Sequence, residues 1–273
     1  MFNVHETSTR NSFMCYIDGE IRSRDLAELL QLKAVVGCLS SSNPCSPRDL
    51  VNHLDIGRYC TYNKNKKYCC LRRVMNPING ALLQDALLLL GQRLQVREAD
   101  PLQLVVCGGS ALIALDLISR STSDVDVVAM VSAEKVLYSP APFPPVLKDA
   151  ANEVASLLGL PEEWLNHGPS SDSGGLFQCG LPSGLLQRSH PTDFGDCLRV
   201  YFIDRIDQIF FKVYAAADRM GVHVDDLIAL DPAPEELVEA ALWCMSHDPS
   251  EEFRHILISM YQQLGFEDAA DDL

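Results

Sequence analysis

The residues with the most chemical content lie between Val105 and Met130, in the stretch VVCGGSALIALDLISRSTSDVDVVAM. Gly108 and Gly109 permit a sharp turn and let another group approach the backbone closely. Ser110 follows where a helix is expected to start, and unsatisfied backbone N–H groups with a hydroxyl there favour a phosphate. Next come Arg120-Ser121-Thr122-Ser123-Asp124-Val125-Asp126. In a strand, Asp124 and Asp126 point to one face while Val125 and Val127 point to the other. The two acids are then about 6.6 Å apart along the chain. Together such carboxylates hold divalent cations spaced roughly 3.5–4 Å, the arrangement used for in-line displacement at phosphorus. Without a cation they repel each other and resist ionisation.

Other motifs fit this stretch less well. A dinucleotide-binding turn requires G-x-G-x-x-G, and Gly108-Gly109-Ser110-Ala111-Leu112-Ile113 breaks that spacing. A hydrolase nucleophile elbow requires G-x-S-x-G, and Leu112 stands where the last glycine belongs. A plain turn, followed separately by two solubilising acids at a strand edge, explains either half alone. It explains less well why the two halves are joined by a single helix. Metal-dependent phosphoryl chemistry is therefore the expectation.

Through these residues together, the chain resembles the DNA-polymerase-beta-like nucleotidyltransferases. Gly109-Ser110 followed by Asp124-Val125-Asp126 is similar to their glycine-serine turn and Asp-x-Asp pair. The fuller pattern, Gly108 to Leu112 with Arg120, Thr122, Asp124 and Asp126, resembles a poorly characterised bacterial branch that includes abortive-infection and toxin–antitoxin members. Leu158-Gly159-Leu160-Pro161 with Trp164-Leu165-Asn166 is similar to a segment of that branch, as are Phe211 to Arg219 and His223 to Leu227. The resemblance covers roughly residues 76–235. It implies a nucleotidyltransferase-type mixed sheet flanked by helices. It also implies Asp124 and Asp126 as catalytic metal ligands for Mg2+ or Mn2+, and a nucleoside triphosphate such as ATP gripped by Gly108, Gly109 and Ser110. A nucleotidyl group would pass to a hydroxyl on an acceptor such as tRNA, a protein or a small molecule.

One departure from the family pattern stands out. A third carboxylate usually lies on a later strand, and only Asp196 and Asp204 flank the expected strand Cys197 to Ile203. That departure favours an alternative, a catalytically degenerate interaction protein acting through a partner such as a cognate antitoxin or regulator.

The helix expected over Asp204 to Met220 fits the nucleotide reading independently. Ile206, Ile209, Phe210 and Val213 form one apolar face. Lys212, Ala216 and Arg219 share another, where Lys212 could meet a triphosphate with Arg219 nearby. The competing reading is a solvated face, or a salt bridge from Lys212 to Asp207 or Asp218. No histidine sits in an H-E-x-x-H pattern, and His223 is expected to pack at a helix–helix junction. Trp164 and Trp243 are expected in the core or at a junction. Glu267 to Asp272 reads as a solvated acidic tail.

Three regions are expected around these residues. Residues 1–75 carry net charge +4 and the remainder −19, a change in composition near residue 75. The first region holds six cysteines without a C-x2-C pair, so zinc is not supported and a weakly ordered extension is expected, with one helix over Ser23 to Val36. Residues 76–204 read as an α/β (α+β) core and 205–273 as a helical C-terminal region. The core opens with a helix from Gly80 to Arg93. Strands follow at Leu102 to Cys107 and Val125 to Val131, a helix over Pro145 to Leu158, and a loop-rich stretch over 166–195. No apolar run reaches the roughly 20 residues of a bilayer span, and the first residues lack a signal-peptide pattern. A cytoplasmic protein without membrane contact is expected. The overall charge of −15 argues against a general nucleic-acid binder.

Overall fold

The computed structural model describes residues 75–171 and 174–273 in full and, before them, the backbone of residues 4–6, 13–16, 58–63 and 68–73. The chain divides into two compact units, Met1–Asn76 and Pro77–Leu273. In the first, β1 (Val4–Glu6), β2 (Phe13–Tyr16), β3 (Arg58–Asn63) and β4 (Tyr68–Arg73) form an antiparallel sheet of order β1-β2-β4-β3. The helix expected over residues 23–36 lies outside the described residues.

The second unit is a mixed α/β structure with an open mixed sheet flanked by helices. It begins with α1 (Gly80–Val96), whose first turn is capped by Asn79 accepting from the Leu82 N–H at 2.9 Å. Next come β5 (Leu102–Cys107), α2 (Gly108–Ala114), β6 (Val125–Val131), β7 (Leu137–Tyr138), α3 (Pro145–Leu158) and β8 (Leu165–Asn166). Two short helices, α4 (Leu176–Cys179) and α5 (Leu185–Arg188), lead into β9 (His190–Asp193) and β10 (Leu198–Phe202). The chain closes with helices α6 (Arg205–Arg219), α7 (Val222–Ala229), α8 (Pro234–His247), α9 (Glu251–Leu264) and α10 (Glu267–Asp271).

The sheet order is β7-β6-β5-β10-β9, with β8 also paired to β6. β5 lies parallel to β10 and antiparallel to β6, so the two strands nearest the glycine turn sit at the middle of the sheet. Alternation along these strands separates two cores. Leu104, Val106, Val125, Val127, Val200 and Phe202 pack with α1 and α3. Val105, Cys107, Val128, Tyr201 and Ile203 face the other side, with Phe211 and Leu185. A third cluster holds the helical tail together and draws Leu112 of α2 against Ile209, Val213 and Leu227.

Several boundaries differ from the sequence reading for physical reasons. α2 starts at Gly108 and stops at Ala114, because Asp116 adopts φ +54° and Leu117 N–H turns back to the Leu112 carbonyl. The stretch 166–195 contains β8, α4, α5 and β9 rather than loop alone. The acidic end forms α10, because Ala269 and Ala270 bury against the helical cluster while the acids face water. Among the described residues no helix is long and apolar enough to cross a membrane.

Candidate functional site

Asp126 stands at the centre of the sheet, opposite Cys107 of β5 on one side and Asn166 of β8 on the other. Its neighbours Val125 and Val127 point into the core under α1 and α3, so Asp126 faces the opposite side and is half-buried. Gly108, directly after β5, has φ +71° and closes onto this carboxylate. A Cβ at position 108 would lie 2.8 Å from Asp126 Oδ2, so a side chain there meets both backbone strain and a clash. The glycine turn and the second acid are thus adjacent in the structure.

The remaining neighbours of Asp126 are also fixed by the chain. Asn166 Oδ1 accepts from the Gly168 N–H at 2.7 Å, and the Asn166 side chain also hydrogen-bonds Asp126. Asp124 sits one residue ahead of β6 and is half-buried; its Oδ1 accepts from the Thr122 hydroxyl at 3.1 Å. Thr122 is itself pinned to Ile78 by two backbone hydrogen bonds of 2.7 and 2.9 Å. Burial, reinforced by the charge of Asp124, pushes the Asp126 carboxyl up to about 6, against the opposing pull of Asn166, Lys212 and Arg219. The Cys107 thiol is pushed well above its ordinary value by burial and by Asp126.

No protein-family profile, curated protein or solved structure matches this chain. What the site can do therefore rests on its own chemistry.

A second charged group lies beside the acid pair. Asp226 of α7 is only 2% exposed, and three hydrogen-bonding contacts converge on it. Arg120 donates from Nε at 2.8 Å and from Nη2 at 2.7 Å, and Lys212 Nζ lies 2.7 Å away. Burial raises the Asp226 pKa, but the Arg120 and Lys212 hydrogen bonds outweigh it and hold the carboxylate below its ordinary value. Lys212 is 5% exposed, so the solvated-face reading does not hold. Its partner is neither Asp207 nor Asp218. Asp207 is bound by Arg188 at 2.6 and 3.1 Å, and exposed Asp218 pairs with exposed Arg219 at 3.1 Å. Two cations face this one carboxylate, and Asp124 and Asp225 also act on Arg120. Arg120 also abuts the glycine turn, since a Cβ at Gly109 would lie 3.0 Å from both Arg120 Nη2 and Thr122 Oγ1. An open groove of about 600 Å3 runs past Arg120 and Asp226, bounded by Leu117, Ser119, Asp225 and Ala229.

The other expected residues fall as follows. Ser110 is buried and its hydroxyl donates to the Cys107 carbonyl at 3.3 Å, so the turn offers backbone N–H groups rather than this hydroxyl. Asp196 is exposed. Asp204 caps α6 by accepting from the Ile206 N–H at 3.1 Å and pairs with His190 at 2.8 Å. On the Asp126 face β10 presents Tyr201, and Ile203 follows directly after the strand; both are buried. Among the described residues no three acids, histidines or cysteines gather as a metal-holding set. His223 opens α7 half-buried, its pKa lowered by burial and by Lys212 and Arg219. Trp164 is fully buried and donates to the Ala151 carbonyl at 2.9 Å, while Trp243 stacks on Phe210 and Phe211.

Four residues near the acid pair carried no role in the sequence reading. Cys107 is the strand partner of Asp126. Asn166 and Asp226 belong to segments that carried a resemblance without a chemical assignment. Gln208 bonds the Gly108 backbone and left no sequence signal, being one polar residue beside Asp207 in an amphipathic helix.

Proposed function

We propose that this chain binds a nucleoside triphosphate with a divalent cation and transfers its nucleoside monophosphate to an acceptor hydroxyl. The observation that carries the reading is the contact between Gly108 and Asp126, which brings a glycine turn against one acid of an Asp-x-Asp pair. The donor set suits a hard cation: two carboxylates, one raised to about 6 by burial and by its neighbour, a penalty that a bound cation relieves. Asp124 and Asp126 would hold Mg2+ or Mn2+. The ion would supply charge neutralisation at the phosphate oxygens.

The chain's own groups divide the remaining work. The Gly109 and Ser110 N–H groups, in the first turn of α2, lack helical acceptors and would bind phosphate oxygens. Arg120 and Lys212 would bring cationic groups to the phosphates, and Arg219, paired at the surface with Asp218, would reach the triphosphate by giving up that exposed partner. The acceptor oxygen would form a bond to the α-phosphorus as the bond to the bridging oxygen breaks. Pyrophosphate leaves with that electron pair and the hydroxyl proton passes to water.

The second reading, an interaction protein that keeps the nucleotidyltransferase-like arrangement without efficient catalysis, is favoured by buried Tyr201 and Ile203 on the sheet face beside the acids. Such a protein would act through a cognate antitoxin or regulator. Calorimetry with Mg2+ and triphosphates, then radiolabelled triphosphates with tRNA, protein and small-molecule acceptors, separates the two. Labelled acceptor supports the transferase; magnesium-dependent binding without transfer supports the second reading. No binding by the wild-type chain overturns the nucleotide reading altogether.

A further inference from the structure

Gly108 closes the turn onto Asp126, and its conformation is held by a residue 100 positions away. Its N–H donates to Gln208 Oε1 at 3.3 Å, and its carbonyl accepts from Gln208 Nε2 at 3.4 Å. Both polar backbone groups of one glycine are thus satisfied by the two ends of one side-chain amide. Gln208 is fully buried in α6, next to buried Ile209 and three residues before buried Phe211.

A glutamine in that position needs a reason. Burying a primary amide costs free energy unless its donors and acceptors are matched, whereas methionine would fill the same space without that cost. The two bonds are long, so their strength is modest. Their geometric effect is larger. A planar amide bridging the N–H and the carbonyl of one residue restrains both flanking peptide planes, and therefore the φ of +71° between them. That φ in turn places the Gly108 backbone against Asp126 Oδ2. α6 carries Lys212 one turn further on, so one helix braces the turn through Gln208 and the charged network through Lys212.

We propose that Gln208 is a positioning residue for Asp126: by holding Gly108 in its left-handed conformation, it fixes the wall that sets how this carboxylate meets a divalent cation beside Asp124. The inference rests on the cation-binding reading of Asp124 and Asp126 given above. Gln208 touches neither cation nor substrate; it acts through Gly108.

The test uses the full-length chain and Mn2+ alone, read by electron paramagnetic resonance. Gln208→Met keeps the side-chain volume and removes both bonds. Gly108→Ala keeps Gln208 and disturbs the same wall directly. Each substitution is expected to weaken Mn2+ binding by about tenfold, the scale seen when a group orienting a metal ligand is lost. The double variant is expected to lose no more than the weaker-binding single variant, because both act through one contact. Mn2+ affinity in Gln208→Met within about twofold of wild type overturns the inference, and so do losses that multiply in the double variant. The unmodified chain supplies an independent measurement should a variant fail to fold. On Mg2+ titration, the Gly108 backbone amide and the Gln208 side-chain amide should shift in nuclear magnetic resonance spectra with the same saturation as the Asn166 side-chain amide. Silence at Gly108 and Gln208 while Asn166 shifts overturns the inference. A wild-type chain that binds no Mn2+ overturns the cation reading itself, a result distinct from equal binding by wild type and Gln208→Met.

Discussion

Arg120 and Asp226, 106 residues apart in the chain, are joined by two hydrogen bonds of 2.8 and 2.7 Å. Lys212 completes the group from α6, so three segments meet at one buried carboxylate. Asp226→Ala would leave two cations without their partner, one of them almost fully buried. Removing one member of a buried ion pair costs about 3–5 kcal/mol. Urea unfolding should show a stability loss of that order, read as a lower midpoint with little change in slope. A loss below about 0.5 kcal/mol, the range of ordinary surface substitutions, would mean that the network does not hold the helical tail.

The same pair has a defined pH dependence. The folded-state pKa of Asp226 lies below its ordinary value, so the stabilisation is present above the unfolded pKa and lost as pH falls through the folded one. The stability gap between wild type and Asp226→Ala should therefore be full at pH 7 and shrink below about pH 4, the ordinary aspartate range. Denaturation curves across that range check it. A gap that grows on acidification would contradict the assignment.

Arg188 and Asp207 make an independent prediction away from the acid pair. Asp207 is fully buried, and Arg188 supplies both of its side-chain hydrogen bonds from the end of α5. Burial raises the Asp207 pKa despite this partner. Arg188→Ala strands the acid and should cost about 3 kcal/mol. It should also speed proteolytic cleavage in the segment 174–189, which loses its tie to α6. Affinity for Mn2+ should change little, because Asp124 and Asp126 keep their neighbours.

How far the sequence revealed this arrangement depended on chain distance. The Gly108-Gly109 turn and the acid pair were legible because they are local, and period-two alternation alone puts Val125 and Val127 opposite Asp126. The resemblance to nucleotidyltransferases drew attention to Arg120, Asn166 and Asp226 but gave them no task. Their tasks come from contacts across 40 to 106 residues, which no spacing rule encodes. Lys212 shows the limit well. Helical periodicity placed it on a polar face and suggested Asp207 or Asp218, five and six residues away in the same helix. The partner came instead from the next helix, because burial at this site demands a partner that is buried too. The acidic end failed for the converse reason, since two alanines among acids are enough to seat a short helix when a tertiary groove accepts them.

Asp126 provides the sharpest stability test. In the metal-free chain its folded pKa is raised to about 6 from an ordinary 3.8, chiefly by burial and then by Asp124. For an acid raised in this way, folding favours the protonated form, so stability is lost as pH rises from the unfolded toward the folded value. Asp126→Asn removes the ionisation while keeping the shape. In chelator, the variant should be more stable to urea than wild type at pH 7.5, by about 1–2 kcal/mol, and the two should converge near pH 4. Adding Mg2+ should reverse the order, because only the wild type has both carboxylates to gain from the cation. A group kept in a form that destabilises the empty fold yet is rewarded by a ligand marks a site shaped by binding rather than by packing. If Asp126→Asn proves less stable than wild type in chelator at pH 7.5, the carboxylate is a structural part of the sheet. The cation reading would then lose its physical basis.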